Sequence, residues 1–149
     1  MKALWFLRLG GIYHLFCAAI HLFFPSMFKW DEALSLLPPP HNMIMGANLN
    51  IMNLCMLFFW VMLGVLPLVF ARDITESRFG RAFLAFIVLF WIFRIGVLQP
   101  IYVGFSTAES LHMTGFFIIG LVLFTVPLAQ SLRSAGRERK NKEDDDGNQ

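Results

Sequence analysis

Apolar residues in this chain fall in four long runs, residues 3–24, 43–70, 82–99 and 111–132. Each is close to or above the ~20 residues that a helix needs to cross the hydrocarbon of a bilayer. The runs are too long for strands and show no alternation of period two, so all four predict helices. Prolines punctuate them: Pro25 closes the first, Pro67 sits late in the second, Pro100 follows the third and Pro127 lies in the last turns of the fourth. Between the first two, Trp30-Asp31-Glu32 predicts a short interfacial helix, and Pro38-Pro39-Pro40 predicts an extended exit from it. The connector 72–81 is short, polar and basic, and 102–110 carries Glu109 as its one charge. The expected architecture is all-α, a four-transmembrane-helix antiparallel bundle over residues 1–132. Residues 133–149 begin basic and end acidic, and predict a disordered charged tail.

The first run carries an unusual stripe. Gly11, His14, Ala18 and His21 recur at steps of three, four and three, which places small and polar groups on one face of an apolar rod. The two histidines, the length of the run and the lack of a small-x-small site after it predict a retained helix rather than a cleaved leader.

Composition moves the picture toward lipid. Of 149 residues, 57% are hydrophobic and 15% charged, with 17 phenylalanines, more apolar surface than a soluble core of this size hides. The net charge of +2 gives no reason to expect nucleic acid. Cys17 and Cys55 sit inside apolar runs and predict free, buried thiols. Lysine and arginine set the orientation: Lys2 and Arg8, then Arg72, Arg78 and Arg81, then Arg133, Arg137, Arg139, Lys140 and Lys142 all fall on one side. By the positive-inside rule both termini and the middle connector are expected to be cytoplasmic, in a multi-pass protein of the cell membrane, a bacterial inner membrane by this reading. Gly10, Gly11, Ala18, Gly46, Gly96, Gly115 and Gly120 are the expected points of close helix approach.

Polar residues at membrane depth are the informative minority, because each is costly unless paired or facing a cavity. Counting a rise of ~1.5 Å per residue from the cytoplasmic face places His14 at ~16 Å, Asn53 at ~15 Å, and Asn50 and Arg94 at ~20 Å. His21 and His112 come out at ~27 Å. The outer half of the bundle is therefore expected to hold two polar layers, His14 with Asn50, Asn53 and Arg94, and His21 with His112. Asn48, Gln99, Ser106 and Glu109 add to the outer half, and the cytoplasmic half is closed by Phe, Leu and Val.

No catalytic motif accompanies these residues: there is no Gly-x-Ser-x-Gly and no pair of intramembrane carboxylates. A non-enzyme is favoured. No metal site is expected, since His14 and His21 stand ~10 Å apart along the helix and no His-x-x-x-His or Cys-x-x-Cys occurs. The chemistry that fits six residues, His14, Asn50, Asn53, Arg94, His21 and His112, is binding of a lipid or small amphipathic ligand. The sequence places no carboxylate at the depth of Arg94, so an anionic or carbonyl-bearing head is the expected match. Two alternatives stand beside it. One is a structural or assembly subunit, with a membrane-protein partner or in a homo-oligomer. The other is a single-haem b-type electron carrier, with His21 and His112 as axial ligands and Arg94 beside a propionate.

The run His21-Leu-Phe-Phe-Pro-Ser-Met-Phe-Lys-Trp30, with Leu49-Asn50 and Phe90-Trp-Ile-Phe-Arg94, resembles a group of small uncharacterised bacterial four-helix membrane proteins. The resemblance covers most of residues 9–128. In topology the chain also resembles DoxX-type and Erg28-type four-helix membrane proteins. That likeness implies four spanning helices and no particular reaction.

Overall fold

The computed structural model describes residues 2–101 and 107–146, all in helices and the turns between them. In chain order the helices are α1 (Lys2–Met27), α2 (Trp30–Ser35), α3 (His41–Val69), α4 (Ala71–Glu76) and α5 (Arg78–Phe93). A π-helical turn over Arg94–Leu98 follows, then α6 (Gln99–Ile101) and α7 (Thr107–Asp146). Four stretches are long and apolar enough to cross a membrane: Ala3–Ser35, His41–Val69, Arg78–Leu98 and Leu111–Asn141. The packing divides into two compact units, Gly11–Leu66 and Met1–Gly10 with Pro67–Gln149.

In the unit Gly11–Leu66, the small and polar stripe of α1 turns inward. Gly11, His14 and Ala18 are buried and His21 half-buried, while Ile12, Phe16 and Phe23 on the other faces are exposed. Apolar residues on the outside and small or polar ones inside are what a lipid-solvated helix pair requires. The opposing stripe on α3 is Asn53, Trp60 and Gly64. His21 meets Asn53, His14 meets Trp60, and a Cβ at Gly64 would stand 3.1 Å from the Gly11 carbonyl and 2.7 Å from Leu15. Residue numbers fall on α1 as they rise on α3.

This register differs from the depth reckoning, which made His14 level with Asn53. The partner of Asn53 is His21, two helical turns further along α1. The reckoning let every apolar run enter at the same height. But α3 has 29 residues, more than a crossing needs, and its first turns extend to carry α2. There Leu34 of α2 lies over Gly46, 3.2 Å from where a Cβ would be. No residue of α2 is buried, and it opens with Lys29 in the left-handed region (φ 48°) and an exposed Lys29–Glu32 ion pair of 3.2 Å.

The other unit is built on two stripes. On α5 the buried residues are Gly80, Leu84, Ile87 and Trp91, and on α7 they are Phe117, Gly120, Phe124, Pro127 and Ser131. Both sets recur at steps of three and four, one face of each helix. Gly10 completes this core: a Cβ there would be 2.7 Å from the Phe124 ring. The α4–α5 turn is tight. Ser77 caps α5, its hydroxyl accepting from the Gly80 N–H at 2.9 Å, and a Cβ at Gly80 would collide with the Ile74 backbone. Ala71 and Ile74 are buried, and the Ser131 hydroxyl of α7 donates to the Thr75 carbonyl of α4.

Two glycine expectations change. Among the described residues nothing lies within 4 Å of a notional Cβ at Gly96 or Gly115, so no close approach is seen there, whereas Gly64, which the sequence does not mark, is a point of close approach. α7 runs on through Asp146. A segment that continues an existing helix pays no nucleation penalty, and Arg139 and Glu143 pair at 3.0 Å one turn apart on it. Ser106 and the side chain of Glu109 lie outside the described residues.

Candidate functional site

The first cluster lies within Gly11–Leu66. The His14 side chain is fully buried and stacks on Trp60, with ring centroids 5.3 Å apart and planes 20° from parallel. Tyr13 presents its ring edge-on at 5.7 Å. One helical face further along, His21 and Asn53 exchange two contacts: the Asn53 amide nitrogen donates to the His21 carbonyl at 3.0 Å, and Asn53 Oδ1 lies 3.0 Å from His21 Nδ1. The first contact fixes which way the amide points, so the second is an Nδ1–H donating to Oδ1. His21 Nδ1 is thereby a protonated, donating nitrogen. Phe24 covers the imidazole at 4.1 Å, and Trp60 is 6.0 Å away. Trp60 thus touches both histidines, one with its face and one at a tilt.

Asn50 behaves differently. It is exposed, and its amide nitrogen donates to the Gly46 carbonyl of its own helix at 2.9 Å. An asparagine turned back on its own helix satisfies itself without holding a second helix.

The second cluster lies in the other unit and centres on Arg94. The guanidinium carbon sits 4.3 Å from the centroid of the Phe117 ring, a cation–π stack. Phe117 in turn packs on the buried Trp91 indole at 5.7 Å and 33°. Arg94 opens the π-helical turn, which ends just before the buried Gln99 and the exposed Pro100. Proline at 100 has no N–H for the carbonyl four residues back, and its ring would clash with that carbonyl in a regular helix. Widening the turn over 94–98 relieves the clash, and π turns of this kind are frequent at functional sites. Gly96, within the same turn, and Gly115 of α7 are exposed, with open space where a Cβ would be among the described residues.

Of the six residues expected to form a site, Asn53 and His21 are brought together, and His14 stands next to them through Trp60. Asn50 and His112 are exposed. His14 and Arg94 belong to different units, as do His21 and His112, so each is described within its own. Sequence reasoning missed Trp60 and Phe117. A signal existed for Trp60: it lies seven residues after Asn53, hence on the same helical face, and an indole inside a membrane helix asks for a partner. Phe117, one of 17 phenylalanines, carries no such mark. Among the described residues no three His, Cys, Asp or Glu side chains gather as metal ligands would. Cys17 is buried and free, whereas Cys55 is free and exposed.

Comparison with models of known protein families, with curated proteins and with solved structures gives no match.

Proposed function

We propose that this chain is an integral membrane protein, an antiparallel bundle of four spanning helices with both termini on the cytoplasmic side of a bacterial inner membrane, that binds an amphipathic ligand at Arg94. The observation that carries this reading is the guanidinium stacked on Phe117 at the mouth of a π-helical turn. A guanidinium held against an aromatic ring carries N–H donors in a planar fork suited to a carboxylate, a phosphate or a quinone carbonyl. An apolar tail would lie along the exposed surface at Gly96 and Gly115, where no side chain stands in its way. His14, His21, Asn53 and Trp60 then serve to hold α1 against α3.

Mass spectrometry and an absorption spectrum of gently purified protein test this in one preparation. A lipid or quinone retained by the native chain and lost from Arg94→Leu is the expected result. Unchanged co-purification with full stability of that variant would sink the proposal.

The assembly-subunit reading draws on the reciprocal His21–Asn53 bonds, which satisfy both side chains within the chain. It expects substitutions there to lower stability while leaving no ligand to lose. The single-haem alternative requires a Soret band in protein from haem-replete cells.

A further inference from the structure

The basic residues of the second unit are brought to one end of it by specific contacts. Ser131 is buried on α7, and its hydroxyl donates to the carbonyl of Thr75 on α4. That bond puts the α4–α5 turn level with the end of the apolar part of α7, so Arg72, Arg78 and Arg81 join Arg133 and Arg137 around a single rim. The turn is held firmly: Ala71 and Ile74 are buried beneath it, Ser77 caps α5, and Gly80 lies against the Ile74 backbone. Arg81 is half-buried and donates from Nη1 to the Glu76 carbonyl at 3.2 Å, closing the C-terminal end of α4. Arg72, Arg78, Arg133 and Arg137 are exposed. Asp73 and Glu76, also exposed, are the carboxylates on α4 facing the same rim.

Height selects which cations matter. At ~1.5 Å per residue, Arg133 lies ~3 Å beyond Ser131 and Arg137 ~9 Å. The headgroup layer outside the hydrocarbon is ~5–8 Å deep on each side. Arg133 is inside it, Arg137 reaches it with a long side chain, and Lys140 at ~13 Å stands in water.

We propose that this arginine rim is a binding surface for the headgroups of anionic phospholipids in the adjoining leaflet, with Arg72, Arg78, Arg133 and Arg137 as the phosphate contacts. Arg81 is a positioning residue that keeps the turn in shape. The rim is separate from the ligand proposed at Arg94 and shares with it the reading that these helices span a bilayer. Arginine suits the task because its fork binds phosphate oxygens two at a time.

The test reconstitutes the full chain in phosphatidylcholine vesicles containing a trace of spin-labelled phosphatidylglycerol or spin-labelled phosphatidylcholine. The motionally restricted fraction of each label is then measured. The native chain is expected to prefer phosphatidylglycerol by about threefold or more, with the preference shrinking as salt is raised. Arg72→Gln/Arg78→Gln/Arg133→Gln/Arg137→Gln should bring the ratio close to one. Lys140→Gln should keep the native ratio, and the quadruple variant should keep the ligand that co-purifies through Arg94, which separates failure at the rim from failure at Arg94. Inorganic phosphate should reduce the preference no more than chloride at equal ionic strength. Glutamine is a good helix former at these exposed sites, and unchanged circular dichroism of the quadruple variant checks its fold. A native ratio near one, an unchanged ratio in the quadruple variant, or selective displacement by inorganic phosphate would each overturn the assignment.

Discussion

At the scale of single residues, the exchange between His21 and Asn53 makes a quantitative statement about the α1–α3 contact. Interhelical polar contacts in membranes contribute about 1 kcal/mol, and leaving one partner buried alone forfeits its desolvation as well. Asn53→Leu should therefore destabilise by about 1–2 kcal/mol in a reversible detergent unfolding assay. His21→Leu/Asn53→Leu together should cost less than the sum of the single changes, because neither orphan remains. An additive cycle would show that the two side chains do not communicate. Glycines give a second residue-scale test. Gly64→Ala forces the Leu15 side chain and the Gly11 carbonyl to yield, and Gly80→Ala meets backbone at Ile74. Each should cost about 1–3 kcal/mol, and the clash with backbone at Gly80 should be the larger. Gly96→Ala and Gly115→Ala enter open space and should be neutral or stabilising by up to about 1 kcal/mol. The importance of His14 and His21 was legible in their spacing with Gly11 and Ala18, since that stripe is the buried one. Their partners were not, because pairing across helices depends on register, and composition carries no record of a two-turn offset.

At the scale of elements, the four helices long and apolar enough to cross a membrane were readable from run length and hydropathy, because crossing a bilayer demands both at once. The π-helical turn was not readable. Pro100 announced a break, but the sequence does not say whether a helix ends at such a residue or widens before it. Deleting Gly96 removes the extra residue of the turn and restores the regular repeat. Helix content should be unchanged by circular dichroism, while Arg94 rotates about 100° relative to the residues after the turn and leaves the Phe117 ring. Loss of the co-purifying ligand with an unshifted melting transition is the expected outcome. A retained ligand would show that the turn does not set the arginine's position. The basic and acidic end of α7 continues a long apolar helix, so it needs no nucleus of its own.

At the scale of the molecule, the helical end of α7 adds length without adding core. Arg133, Ser134, Gly136, Arg137, Arg139 and Lys140 are all exposed, and the Arg139–Glu143 pair is a surface pair of small worth. A chain ended after Arg137 should lose the ellipticity of about two helical turns and keep its melting transition. A drop in that transition would mean that the segment packs against something. The packing into Gly11–Leu66 and Met1–Gly10 with Pro67–Gln149 was also invisible in the sequence, because hydropathy reports what touches lipid and is silent about which helices prefer one another.

The stack of His14 on Trp60 gives the α1–α3 pair an optical signature. Trp60 is buried against the His14 ring, so its emission should change when the pair opens and its surroundings change. Of the four tryptophans, Trp5 is 68% exposed and Trp91 fully buried in the other unit. With Trp5, Trp30 and Trp91 replaced by phenylalanine, the remaining emission would report separation of one helix pair alone. Its change and the loss of secondary structure could then be timed against each other during unfolding.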